Sequence, residues 1–161
     1  MAADIEVVEC TADDLQAVAV VLEELSTAGT GWVNVDPEAA LDPQDLPPPR
    51  GFLSYRLGAR GPDIPRATWT APGARTPANV GIHHAAGVRA NDQLRDAGRP
   101  VPETWRLLQD HPKRGLVLAL PTPTGSDALP THEGTLRWLL AATTILSRVP
   151  LTGWWAAEIH R

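Results

Sequence analysis

The sequence lacks the features on which several common classes of protein depend. It contains one cysteine, so no internal disulfide can form, and no apolar run approaches the roughly 18 residues that a membrane helix needs. The N-terminus carries no basic region followed by an apolar core, which is the pattern of a secretory signal. These absences predict a soluble, cytoplasmic protein that has no membrane segment.

Recognisable catalytic and metal-binding motifs are also missing. There is no HExxH, no His-x-His and no second cysteine, and no serine lies in a Gly-x-Ser-x-Gly elbow. We therefore expect no metal and no cofactor. Cys10 falls in a predicted strand, where a buried thiol is the usual outcome and a nucleophile is not expected.

Basic residues are absent from the first 49 residues, which contain eleven acids. The remainder holds all fourteen bases and eight acids, so a segment of −11 is joined to one of +6, for a net charge of −5. Either the two segments neutralise each other inside the fold, or one of them faces a partner. An anion-binding face could be formed by Arg50, Arg56, Arg60, Arg66 and Arg75. Because no nucleic-acid motif accompanies these arginines, nucleic acid is not the expected partner.

Two helices are predicted from apolar residues that recur at helical spacing. The first follows a cap-like run at residues 11–14 and continues to Gly29; its stripe is Leu15, Val18, Ala19, Leu22 and Leu25. The last begins at Thr131; its stripe is Leu136, Leu139, Leu140, Thr143 and Leu146, with Trp138, Ala142 and Ile145 beside it. A third helix, with a thin stripe, is predicted over residues 88–97.

The strongest strand signals flank the turn sequence His-Pro-Lys-Arg-Gly. Its proline keeps the preceding histidine extended, and its glycine can adopt the left-handed conformation that returns the chain. Residues 105–120 are therefore predicted to form an antiparallel hairpin with its loop at 112–115. Residues 116–120 are apolar on both faces, which is typical of a strand inside a sheet. We expect this strand to be the central one, with Leu118 buried.

Shorter strands are predicted where β-branched and aromatic residues lie between turn residues. They are residues 5–9, 31–35, 52–57, 67–70, 80–84 and 154–160. Residues 52–57 and 67–70 are expected to pair as a second hairpin. Residues 36–50 carry five prolines and four acids, which predicts a surface loop. The order predicts one α+β domain over residues 1–161, a largely antiparallel sheet with about three helices packed on it.

Three histidines and one aspartate near the predicted turns are the candidates for acid–base chemistry or metal binding, because imidazole titrates near neutral pH. They are His83, His84, Asp110 and His111. Adjacent residues of a strand point to opposite faces, so His83 and His84 cannot share one pocket while the chain is extended there. A histidine before a proline is also typical of a solvated turn residue, and Asp110 of a side chain that binds turn backbone.

The stretch HAAGVR connects a predicted strand to a predicted helix, so free backbone N–H groups and Arg89 could hold a small anion at the turn at Gly87. This stretch resembles the acyl-CoA loop of GNAT acetyltransferases, and VVECTADDLQAVAVVLEEL resembles the first strand and helix of that family. The resemblance implies a small acyl-CoA-dependent transferase that uses residues 80–97. The sequence departs from the family's motif, because His84 stands where that motif has Arg or Gln.

Three further stretches resemble short uncharacterised proteins encoded by high-GC bacterial genomes. They are GIHHAAG, PVPETW and QDHPKRGLV, and the likeness runs from about residue 32 to the end. The resemblance implies a recurring type of protein and assigns no catalytic residue.

Six tryptophans are the remaining unusual feature, since tryptophan commonly anchors a core or an interface. Trp154 and Trp155 must face opposite ways along the last strand, so we expect one to enter the core and the other to be exposed. If this strand lies at the sheet edge, the exposed ring can anchor a homodimer, although loops such as 36–50 could cover both rings instead. The sequence thus predicts a non-enzymatic binding or interaction module that self-associates or binds a protein partner, with the transferase as the alternative.

Overall fold

The computed structural model describes residues 5–46, 61–122 and 129–161. Within these ranges the chain forms seven strands and three helices, which confirms the predicted α+β fold. The strands are β1 Glu6–Thr11, β2 Trp32–Ala39, β3 Arg66–Thr70, β4 Asn79–His83, β5 Arg106–His111, β6 Gly115–Ala119 and β7 Leu151–His160. The helices are α1 Gln16–Ala28, α2 Ala90–Asp96 and α3 His132–Leu146. None of these three helices is long and apolar enough to cross a membrane.

The seven strands form one antiparallel sheet in the order β1-β7-β2-β3-β4-β6-β5. Helix α3 lies across β3 and β4 and contacts both other helices, while α1 lies near β1 and α2 near β5. The helices therefore form a single layer on one face of the sheet. We call the other face, which no described helix covers, the open face; its outward side chains include those of Trp32, Thr68, Val117 and Trp154.

Alternation along the strands sends every second side chain towards the helix layer. Val33, Trp69, Val80 and Leu118 lie opposite one another in four neighbouring strands, and all four are buried. Removing each such side chain from water contributes about 1.5–3 kcal/mol. This row forms the sheet side of the core, and α3 packs against it.

The predicted stripe of α1 is its buried face, with Val18, Leu22 and Leu25 almost fully covered. The helix ends at Gly29, whose φ of 69° permits its N–H to donate to the carbonyl oxygen of Leu25. The predicted cap at residues 11–14 is wrong. Thr11 belongs to β1, and the N-cap position is held by Leu15, which makes no side-chain cap bond.

The N-terminus of α3 is capped as predicted, because the hydroxyl oxygen of Thr131 accepts the N–H of Gly134 at 3.0 Å. The whole predicted stripe is buried, and Trp138 and Ala142 beside it are buried as well. Ile145 is the exception: it is 36% exposed, because it lies on the flank of the helix that faces away from the sheet. The predicted helix at 88–97 is shorter, Ala90–Asp96.

The hairpin of β5 and β6 confirms the predicted pairing, and Leu118 is buried. His111 pairs with Gly115, so the loop is 112–114 rather than 112–115. The prediction that residues 116–120 form the central strand is wrong, since β6 is the second strand from one edge and β3 is central. An all-apolar sequence predicts a strand that is buried on both faces, but burial does not specify the position of that strand in the sheet order.

Two further expectations about the sheet are corrected. Strand β7 does not lie at the edge, because it inserts between β1 and β2 and pairs with both. The predicted loop at 36–50 begins as strand, since β2 continues to Ala39 and the register shifts only between Pro37 and Ala39. The predicted strand at 52–57 lies outside the described residues, and β3 pairs with β2 and β4 instead.

Ion pairs join the acidic first segment to the basic remainder. Arg66 on β3 donates to Asp36 on β2, with an Nε to Oδ1 distance of 2.7 Å, and this bond raises the pKa of the guanidinium. Arg161 donates to Glu6 and Glu24, each at 3.0 Å, which likewise raises its pKa. These pairs are at the surface, where ion pairs contribute little to stability but fix local geometry.

Candidate functional site

The four predicted acid–base residues do not converge. His83 points to the open face, where its Nε2 donates to the carbonyl oxygen of Lys113 at 2.9 Å. His111 also belongs to that face, and its Nδ1 accepts the N–H groups of Lys113 and Arg114 at 3.1 and 3.2 Å. Both rings therefore organise the β5–β6 turn. Their use in catalysis stays a prediction.

His84 and Asp110 lie on the helix side. The His84 ring is fully buried, its Nδ1 accepts the N–H of Ala86 at 3.1 Å, and burial lowers its pKa although the Asp110 carboxylate opposes that shift. Asp110 accepts the N–H groups of Ala90 and Asn91 at 3.1 and 3.0 Å, so it caps α2. Among the described residues, no three side chains of metal-binding type lie together.

The turn at Gly87 leads into α2 through Arg89, which adopts a left-handed φ of 59° at the N-cap position. The first two N–H groups of α2 are the ones that an anion would bind, and both already donate to Asp110. An anion at this turn would have to displace that carboxylate. Anion or acyl-CoA binding at Gly87 and Arg89 therefore stays a prediction.

The side chains of Trp154 and Trp155 lie on opposite faces of the sheet, as the alternation of side chains along a strand predicts. Trp155 is 4% exposed and joins the core, whereas Trp154 is 54% exposed on the open face. Trp32 on the same face is 44% exposed, but its ring stacks on His160 with a centroid distance of 4.7 Å. In the described ranges, no aromatic ring stacks on Trp154.

A cavity of about 470 Å³ opens beside Trp154, where β1, β7 and β2 lie next to one another. We call it the Trp154 cavity; its lining is Glu9, Asp36, Pro37, Glu38, Trp154, Trp155 and Ala156. Glu9 and Asp36 reach it because both pair with Ala156 from opposite sides, which puts the three residues in one outward row. Sequence reasoning missed this group because β1 and β2 come together only through β7.

The Trp154 cavity carries more negative charge than its surroundings neutralise. Asp36 is paired with Arg66, and Glu38 accepts the Thr152 hydroxyl at 2.6 Å, which adds no positive charge. Glu9 is exposed and has no ion pair in the part of the chain that the structure describes. Two carboxylates that have no cation among the described residues thus lie around a half-exposed indole, and such an indole attracts cations to its face.

A second cavity, of about 580 Å³, lies at the diagonally opposite rim of the open face, beside the β3–β4 connection and the start of β5. We call it the basic corner, after Arg75 and Arg106 in its lining. Both side chains are exposed, and neither has an ion pair within the described ranges. Of the arginines in the predicted basic face, Arg75 lies here, whereas Arg66 pairs with Asp36, so that face stays a prediction. Arg50, Arg56 and Arg60 lie outside the described residues.

Within the described residues, the open face thus offers two corners of opposite charge and one exposed tryptophan, Trp154, on which no aromatic ring stacks. Cys10 is buried on the other side of the sheet from both corners. Comparison of the chain with protein-family models, with curated proteins and with solved structures gives no significant match, so the geometry carries the functional argument.

Proposed function

We propose that the chain is a protein-interaction module of the cytoplasm that holds a basic partner against its open face, with Trp154 as the anchor. The observation that supports this proposal is that one cavity contains both an indole that is 54% exposed and carboxylates that have no cation among the described residues. Tryptophan and arginine supply much of the binding energy of protein interfaces, and the rim is commonly charged.

An arginine side chain is the group that suits the Trp154 cavity best. Its guanidinium is planar, so it can stack on the Trp154 ring while its N–H groups donate to Glu9 or Glu38. A lysine ammonium has the same charge, but it lacks the planar guanidinium group that can stack on an indole ring. A carboxylate or phosphate would meet uncompensated acids and be repelled.

The proposal requires no residue that forms a covalent bond, and the protonation state of the Cys10 thiol is consistent with it. Burial and the nearby Asp14 carboxylate raise the pKa of Cys10 to about 11, so this group remains a protonated thiol at neutral pH. A thiol in that state is a poor nucleophile. Cys10 therefore contributes packing to the core.

The experiment is a titration with a short peptide that contains two arginines, against the same peptide in which citrulline replaces arginine. Citrulline keeps the shape and loses the charge, so calorimetry should give a dissociation constant of about 1 mM for the arginine peptide and no heat for its counterpart. Trp154→Ala should abolish the binding. Trp32→Ala, which removes a tryptophan from the same face, should leave it unchanged. Equal heats for the two peptides would refute the proposal.

A further inference from the structure

We propose that the basic partner is a second copy of this chain, and that two copies pair face to face so that the basic corner of each fills the Trp154 cavity of the other. The inference rests on the proposed function, because it uses the same cavity and names its occupant. Three features of the open face carry it: the placement of the two corners, the surface between them, and the self-complementarity of their charges.

The two corners lie at opposite ends of a diagonal across the sheet. Arg106 is on edge strand β5, in the row of outward residues that also contains Ala119, Asn79, Thr70 and Trp32. Glu9 is on the other edge strand, β1. Its row of outward residues includes Asp36 of β2, which lies four residues beyond Trp32 along that strand. With about 4.8 Å between strands and about 3.3 Å per residue, the two side chains are about 30 Å apart.

This diagonal placement is what a twofold axis requires. Such an axis runs between the two stacked sheets, parallel to both, and crosses the diagonal at its midpoint at a right angle. A half-turn about it places the basic corner of one copy opposite the Trp154 cavity of the other. Each Trp154 cavity then faces the partner's Arg75 and Arg106, and the contact forms twice. A hetero-partner would need to provide a basic group only once, whereas this chain already carries a matching group at the matching place.

The surface between the corners is low enough for two sheets to approach. Gly81 has no side chain there, and its cross-strand neighbours Thr68 and Val117 are short. Stacked sheets pack about 10 Å apart, which such a centre permits. The seven strands offer a face of about 600 Å², so two copies bury about 1,200 Å², near the lower limit for a stable interface. We therefore expect a weak dimer that depends on its charged corners.

Charge reversal tests the pairing directly. One variant reverses the cavity, Glu9→Lys with Glu38→Lys, and a second reverses the corner, Arg75→Glu with Arg106→Glu. Each variant alone places like charges together at both contacts, so sedimentation velocity should show self-association weakened at least about tenfold. In an equal mixture every contact joins opposite charges again, and a heterodimer should form with close to the wild-type affinity.

Matched controls lie on the helix side. Asp96→Lys and Arg99→Glu each make one charge reversal of the same kind at exposed positions on and just after α2, and they should leave self-association unchanged. Far-UV circular dichroism confirms that each variant is folded. If a double reversal does not fold, Glu9→Gln and Arg106→Gln replace it, and each should weaken the dimer.

Three results would overturn the inference: a monomeric wild type, reversals that leave its association unchanged, or reversed variants that stay monomeric when mixed. The arginine peptide separates this failure from that of the proposed function. A monomeric wild type that binds the peptide at Trp154 removes the second copy and leaves the interaction module in place. A monomer that binds no peptide removes both.

Discussion

The two adjacent tryptophans of β7 allow one residue type to be compared on the two faces of the sheet. Trp155 is 4% exposed, and a buried tryptophan removes about 150–250 Å² from water, which corresponds to about 4–6 kcal/mol at about 25 cal/mol per Å². Measured truncations of buried aromatic residues cost about 3–5 kcal/mol, so we expect Trp155→Ala to lower the free energy of unfolding by that amount. Trp154 is 54% exposed, and its truncation in the monomer should cost about 1–2 kcal/mol.

Urea denaturation followed by circular dichroism measures both variants, at protein concentrations low enough to keep the chain monomeric. The midpoint should fall much further for Trp155→Ala, with little change in the slope, because the surface exposed on unfolding is nearly the same. The melting temperature should fall by about 10 °C for Trp155→Ala and by a few degrees for Trp154→Ala. Equal losses of stability, or a larger loss for Trp154→Ala, would refute the assignment of the two rings to the two faces.

Three further outcomes are expected. Leu118→Asp should unfold the domain, since a buried unpaired carboxylate costs more than about 4 kcal/mol; an unchanged melting temperature would contradict its place in the core. The lowered pKa of His84 means that the unfolded state binds the proton more readily, so stability should be complete above the unfolded pKa of about 6.5 and fall as pH drops below it. His84→Asn keeps an acceptor for the nearby backbone N–H and should flatten that dependence between neutral and mildly acidic pH in thermal melts. Coenzyme A should not raise the melting temperature, because Asp110 occupies the N-terminus of α2; a rise that Arg89→Ala abolishes would favour the transferase.

Local features of the fold could be read from the sequence because they depend on neighbouring residues. The stripe that contains Leu22 and the cap at Thr131 each follow from spacings of a few residues, and both are confirmed. The opposite orientations of Trp154 and Trp155 follow in the same way, from the two-residue period of a strand. That prediction did not depend on the position of β7 in the sheet, so it remained correct although β7 does not lie at the edge.

Strand order could not be read in this way because it is not local. β7 lies between β1 and β2, so its neighbours come from the opposite end of the sequence. The apolar pattern of β6 indicated burial, and β6 is buried, but it lies second from an edge, whereas the central strand β3 alternates buried residues with more exposed ones. No periodicity distinguishes the second strand from the fourth.

The same limit explains why the candidate site differs from the predicted one. His83 and His84 attracted attention because they are adjacent, and adjacency in a strand separates their side chains onto opposite faces. Glu9 and Asp36 are far apart in sequence and attracted none, yet the insertion of β7 between their strands sets both beside Trp154. A site that is assembled across a sheet has no signature along the chain.

The charge split links the sequence to the proposed interface. The acidic segment supplies β1, α1 and β2, which all belong to one half of the sheet, so a division along the chain becomes a division in space. A base can neutralise those acids only where the chain brings it into that half. Arg161 does so at the end of β7, and Arg66 does so on β3, next to β2. Arg75 and Arg106 remain on the far half, where neither has an ion pair among the residues that the structure describes. Internal neutralisation, one of the two alternatives left open by the sequence, accounts for the ion pairs of Arg66 and Arg161, whereas a partner for the remaining charges stays a proposal.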